Sequence, residues 1–255
     1  MPHPTLYQFP VSPYCEKVRW ALDFKHIDYT TRDLLPLFHL PVIFRRTRQN
    51  KVPVLKMDNR YIAGSDVIIQ TLEERLPSAP ALYPVDDSEF EDALEWAAFA
   101  DREIGPHLRR TAYFHLIDNT RLMFEILTRG QGAVGRMAFR TSQPMVIRAM
   151  KECMRINQRG YDSSLVRLNE ALDRLDASLK DAAYLVGDRF TVADLTAAAL
   201  LAPLAQPPEA PFQPPVEMPE AFTEFCAAFE DRPVMDWVRT IYRKHRKPAQ
   251  QKSVE

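Results

Sequence analysis

The 255 residues suffice for one large domain or two ordinary ones with real cores. Hydrophobic residues at 46%, charged residues at 26% and a formal net charge of -1 describe a soluble globular protein, with no overall field for nucleic acid or acidic lipid. Cys15, Cys153 and Cys226 are too few and too scattered for a secreted disulfide scaffold or a zinc site, and no run of about 18 apolar residues occurs. The Met-Pro-His-Pro start lacks a leader's basic-then-apolar progression. A cytoplasmic protein is expected, with no metal and with neither nucleic acid nor membrane as a partner.

In chain order, Leu6, Tyr7 and Phe9 form a short β-favouring run ended by Pro10, and Ser12-Pro13 turns it into a helix with Val18, Ala21 and Leu22 on one face. Ser12 and Cys15 lie at that helix's N-terminus, where unpaired amides favour a thiolate and a thiol's pKa near 8.5 can fall by about one unit or more. Tyr29–Leu35 reads as a second strand, followed by a loop with Pro36 and Pro41 and a basic segment from Arg45 to Lys51. Strands Val54–Met57 and Arg60–Ile62 flank the turn Asp58-Asn59, which makes a hairpin, and a helix follows from Ser65 to about Leu76. The order βαβα then ββα is that of a thioredoxin-like α/β unit, ending at a proline-spaced linker, 77–84.

Beyond the linker only helix signals appear. Ser88 to Glu91 spells a capping box, and Phe90, Ala93, Leu94, Ala97, Ala98 and Asp101 mark a buried face. A Gly-rich break at 130–135 precedes a helix expected from near Pro144, and Leu165, Leu168, Leu172, Leu175 and Leu179 form a core stripe. Thr191 with Asp194 makes a second capping box with a Phe190–Leu195 staple, leading into what should be the most buried helix. Residues 203–219, with seven prolines, are expected to form an extended connector. A last helix is expected from Met235 to Arg246, then a disordered polar tail, 248–255.

Four of these stretches resemble one family. Ser12-Pro13-Tyr14-Cys15 is similar to the glutaredoxin Cys-Pro-Tyr-Cys motif with Ser first, as in the serine-type glutathione transferases. Lys51-Val-Pro-Val-Leu55 resembles the segment carrying that family's cis-proline, Ser65-Asp-Val-Ile68 its following Ser-x-x-Ile, and Val186–Leu195 the capping segment of its helical domain. The resemblance implies a thioredoxin-like glutathione-binding domain, 1–83, and an all-helical domain, 84–255, that contributes the site for a hydrophobic electrophile. It also implies glutathione as co-substrate, a homodimer and a role in detoxification.

Residue by residue, the resemblance makes Ser12 the donor to the glutathione sulfur. Val52, before a cis Pro53, would pair with the peptide backbone. Lys51 would meet the glycine carboxylate and Ser65 the γ-glutamyl carboxylate at a helix start. Gly64 stands where many members carry Glu or Gln, so Asp66 becomes the candidate for the γ-glutamyl amine. Tyr14 and Cys15 are secondary candidates, and Tyr14, Phe38, Tyr113 and Phe114 are candidate lining for the electrophile.

Two alternatives stay open: a glutathione-dependent thiol reductase using Cys15, and a non-catalytic binding protein of the same fold. The Gly130–Gly135 run spells G-x-G-x-x-G outside any βαβ unit and reads as a flexible loop. The cations Arg243 to Lys247 read as complements to a helix C-terminus.

Overall fold

A computed structural model describes residues 3–213 and 216–247. Strand β1 (Thr5–Gln8) lies parallel to β2 (Thr30–Asp33) and antiparallel to β3 (Val54–Met57), which pairs with β4 (Arg60–Ala63), giving the order β2-β1-β3-β4. Helix α1 (Pro13–Phe24) follows β1, α2 (His39–Thr47) follows β2, and α3 (Ser65–Arg75) follows β4. The sheet is thus mixed and of the expected thioredoxin-like kind. Asp58 and Asn59 both take positive φ, as a two-residue hairpin turn requires.

Register sorts the two faces of the sheet. Leu6 pairs with Leu55, and both are fully buried under α1 and α3 with Val18, Ile68 and Leu72. The opposite face carries Arg32, Tyr7, Val54, Lys56 and Tyr61, capped at one end by α2 through buried Ile43. Helix α2 corrects the loop expected around Pro36 and Pro41. Pro41 is its third residue, where an amide would lack an intrahelical partner anyway, so the proline breaks nothing.

The helical part begins with α4 (Asp87–Phe99), which runs through a π-helical turn (Ala100–Ile104) into α5 (Gly105–Leu116). Asp86, not Ser88, caps α4, accepting from the Ser88 and Glu89 amides. The buried face is narrower than its spacing suggests. Ala93, Ala97 and Phe99 are inside while Leu94 and Ala98 are exposed.

Helices α6 (Thr120–Leu127) and α7 (Ala133–Met154) follow, and α7 starts well before Pro144, which sits inside it on the solvent side where water can serve the freed carbonyl. In α8 (Gln158–Ser178) Leu168, Leu172 and Leu175 are fully buried, as the stripe predicts. Helix α9 (Val192–Ala205) is the central one, with twelve of its fourteen residues buried. Its capping box forms as expected, Asp194 accepting from the Thr191 amide at 2.8 Å.

Because α9 includes Pro203, the connector begins only after Ala205, and it ends in α10 (Glu220–Ala227), a helix the sequence reading did not contain. Helix α11 (Pro233–His245) closes the described chain, and the expected tail lies outside the described residues. Of the cations around its end, Arg243, Lys244 and Lys247 are exposed, and Arg246 departs from the reading of a helix-end complement. Arg246 is buried between α1 and α11.

Candidate active site

The topology brings three of the predicted segments to one end of the sheet. The Ser12 turn leaves the C-terminal end of β1, Pro53 enters the antiparallel neighbour β3, and Gly64-Ser65 leaves the end of β4 beside it. The Val52-Pro53 peptide bond is cis, as the motif predicts. The Gly64 amide donates to the Pro53 carbonyl at 3.2 Å, which fixes the start of α3 against this segment.

Ser12 occupies the N-cap position of α1 with an extended backbone, and its carbonyl accepts from the Cys15 and Glu16 amides at 3.0 Å. Its side chain makes no capping bond. The half-exposed Ser12 hydroxyl is thus not engaged by the helix's first amides, and within α1 its partner is the Cys15 thiol. Cys15, one turn on, is fully buried, and burial pushes its thiol up, opposed by the Arg19 charge and by hydrogen bonds with the Phe9 backbone and the Ser12 side chain. Burial is the largest influence on this thiol, so Cys15 sits as a core-facing residue of the helix and not as an exposed thiolate.

Lys51 and Asp66 are exposed, Val52 is half-buried, and Pro53 and Ser65 are buried. Ser65 is the first residue of α3, with Gly64 as its N-cap. Gly64 holds φ +100°, and a Cβ there would lie 2.9 Å from Asp66 Oδ1. The Asp66 carboxylate is therefore folded back to where a side chain at position 64 would begin. This supplies a physical reason for glycine there. The His39 ring contacts the Asn50 carbonyl at 3.1 Å and packs edge-on against Phe9, tying the Lys51 segment to α2 and to the Ser12 turn.

Tyr14 bridges to the helical part. Its hydroxyl donates to the Asp101 carbonyl at 2.9 Å, and burial first, then the Asp101 charge, pushes its pKa up to about 12. Lys17 reaches the Asp101 carboxylate at 2.8 Å, and Gly105 is bare because a Cβ would strike the Tyr14 hydroxyl. These contacts fix the start of α1 against the π-helical turn.

Of the proposed lining residues, Tyr113 shares with Tyr14 the charge of Arg109, which lies one turn earlier on α5. Phe114 instead stacks on Tyr161, with ring centroids 4.4 Å apart, inside the helical part. Phe38 stands exposed at the N-cap of α2. Arg109 escaped the sequence reading because nothing marks one arginine on a polar helix. Only its spacing of four from Tyr113 hinted at it. Among the described residues no group of three or more His, Cys, Asp or Glu side chains is placed to hold a metal ion.

A thioredoxin-like sheet with a cis-proline facing a helix N-terminus, followed by an all-helical domain, is the architecture of the glutathione transferases. Two family models match in that order: glutathione S-transferase, N-terminal domain, over residues 6–80, and glutathione S-transferase, C-terminal domain, over residues 140–233. The chain belongs to the glutathione transferase superfamily.

Among curated relatives, the glutathione S-transferase DHAR3 of Arabidopsis thaliana is 36% identical over 73 residues, a match covering 28% of each chain. The glutathione S-transferase TCHQD of the same plant is 29% identical over 210 residues, 78% of this chain and 76% of that one. Among solved structures, rice GST1 in complex with glutathione shares the fold with a TM-score of 0.61 at 20% identity, covering 98% of this chain and 92% of that one.

Proposed function

We propose that this protein is a serine-type glutathione transferase that activates the glutathione thiol through Ser12 for attack on a small hydrophobic electrophile. One observation carries the assignment: the Ser12 hydroxyl stands at a helix N-terminus without capping the helix, at the sheet end that also holds cis Pro53 and Ser65. Family membership and the rice relative's bound glutathione support the ligand.

In this reading glutathione lies along the Val52-Pro53 edge. Lys51 takes its glycine carboxylate, Ser65 its γ-glutamyl carboxylate and Asp66 its amine. The thiol loses its proton to solvent, the Ser12 hydroxyl donates to the thiolate, and the sulfur forms a bond to the electrophilic carbon as a leaving group departs with the bonding pair. Residues 1–83 form the glutathione-binding domain and 84–255 the domain that supplies the electrophile's wall, in a homodimer. Tyr14, Arg109 and Tyr113 make that wall part polar.

Reduced glutathione titrated into the wild-type protein by calorimetry should bind saturably, at micromolar to low millimolar affinity. Ser12→Ala should then bind glutathione comparably while losing at least about 100-fold in turnover of an aryl halide, the scale of removing one preorganised donor. Cys15→Ser should keep that turnover. Full activity in Ser12→Ala, with activity lost in Cys15→Ser, would move the chemistry to the reductase alternative.

A further inference from the structure

We propose that helix α2 and the cations beside it form a docking face for an anionic phospholipid surface. The near-zero net charge conceals a strong segregation. Residues 34–57 contain Arg45, Arg46, Arg48, Lys51 and Lys56 and no acidic residue, so this stretch carries +5 in a chain that totals -1, and the remaining residues sum to -6. Register places Arg32 and Lys56 on the same sheet face as α2, and none of these six cations forms an ion pair among the described residues. Such a charge dipole turns this face toward a negative surface.

The apolar side chains settle which kind of surface it fits. Helix α2 buries Ile43 inward, yet its outward arc carries Leu40, 36% exposed, and Phe44, 51% exposed, with Arg45 and Arg48 alongside. Arg48 lies over the Phe44 ring at 5.7 Å. An outer arc that mixes exposed apolar side chains with arginines suits the lipid interface, where Leu40 and Phe44 meet acyl chains and the arginines meet headgroup phosphates, an apolar contact that a nucleic-acid backbone does not offer. Beside them, Arg45, Arg46 and Tyr61 line a shallow recess of about 470 Å³, where Arg46 is held between the Tyr7 and Tyr61 rings at 5.5 and 5.7 Å. An anionic headgroup has the size and charge to seat there.

The test is sedimentation of the full-length protein with phosphatidylcholine vesicles, with and without a minority of phosphatidylserine, at low and high salt. Binding is expected only to the anionic vesicles, and it should weaken as salt shortens the electrostatic range. The double variant Arg45→Glu/Arg48→Glu should lower the partition coefficient about 30-fold or more, and Phe44→Ser about tenfold, with melting temperature and glutathione affinity unchanged. No binding to anionic vesicles at low salt would overturn the proposal. So would binding indifferent to both variants, or equal affinity for duplex DNA with Phe44→Ser silent. If Phe44→Ser instead dissociates an oligomer and leaves lipid binding untouched, the face is an interface between copies and the lipid proposal fails.

Discussion

Arg246 sits between two carboxylates of helix α1, its Nε 2.7 Å from Glu16 Oε1 and its Nη1 2.6 Å from Asp23 Oδ2, with all three residues buried. Glu16 in turn takes the Arg19 Nε at 2.8 Å, and Arg19 donates to the Pro10 carbonyl and to Gln8, whose amide donates to Asp33. The C-terminal end of helix α11 is thus tied by charged hydrogen bonds to the turn that carries Ser12.

Removing only Arg246 leaves the buried Asp23 carboxylate without its cation, while Glu16 keeps Arg19. Arg246→Ala should cost about 3–5 kcal/mol in denaturant unfolding, because an uncompensated buried charge costs more than the pair gains. Replacing the pair together, Asp23→Asn/Arg246→Met, which leaves Glu16 with Arg19, should cost much less. Equal losses in the single and double variants would mean that packing, not charge, holds this junction.

Gly64→Ala tests the backbone of the proposed γ-glutamyl subsite. The φ of +100° is the dominant cost, about 1–2 kcal/mol of stability, while the Asp66 contact at 2.9 Å can be relieved by rotating a flexible side chain. Gly64→Ala/Asp66→Ala should therefore stay nearly as destabilised as Gly64→Ala, and both should bind glutathione more weakly by calorimetry. Full recovery of stability in the double variant would assign the cost to the side-chain clash.

What was legible in the sequence is what is local. The Asp58-Asn59 turn, the Thr191–Asp194 box and the leucine stripe of α8 each specify structure within one or two turns of chain, and each appears as read. Prolines misled because their effect depends on position. Pro41 in a first turn, Pro144 on a solvent face and Pro203 near a helix end all lie inside helices. Helix α10 is short and follows a proline-rich stretch, so its signal is weak. Arg246 pairs with residues more than 200 positions away, and no local pattern separates it from the solvated cations next to it. At the candidate site, the segments were legible as motifs, whereas the partner of Tyr14 depends on the packing of α1 against the helical part.

The three cysteines should separate cleanly by reactivity. Cys153 is exposed, whereas burial pushes the Cys226 thiol up to about 12 and raises that of Cys15 at a fully buried position. Alkylation of the native protein at neutral pH, followed by mass spectrometry, should label Cys153 alone, with Cys226 and Cys15 reacting only on unfolding. Rapid labelling of Cys15 in the folded protein would revive its claim as a nucleophile.

Asp194 gives the fold a measurable pH dependence. Burial pushes its carboxyl up to about 6, against hydrogen bonds from the Leu185 and Thr191 amides and the Thr191 hydroxyl. An unfolded aspartate titrates near 3.9, so between about pH 4 and 6 the folded protein binds the extra proton and the unfolded chain does not. This group's contribution is therefore fully present below about pH 4 and is lost as pH rises through about 6. Stability of the wild type relative to Asp194→Asn should increase by about 2–3 kcal/mol as pH falls from 7 to 4. Denaturant titrations of both proteins across that range read the difference directly, since groups common to the two cancel. A difference independent of pH would place the Asp194 carboxyl at its ordinary value, with its amide and hydroxyl donors offsetting the whole cost of burial.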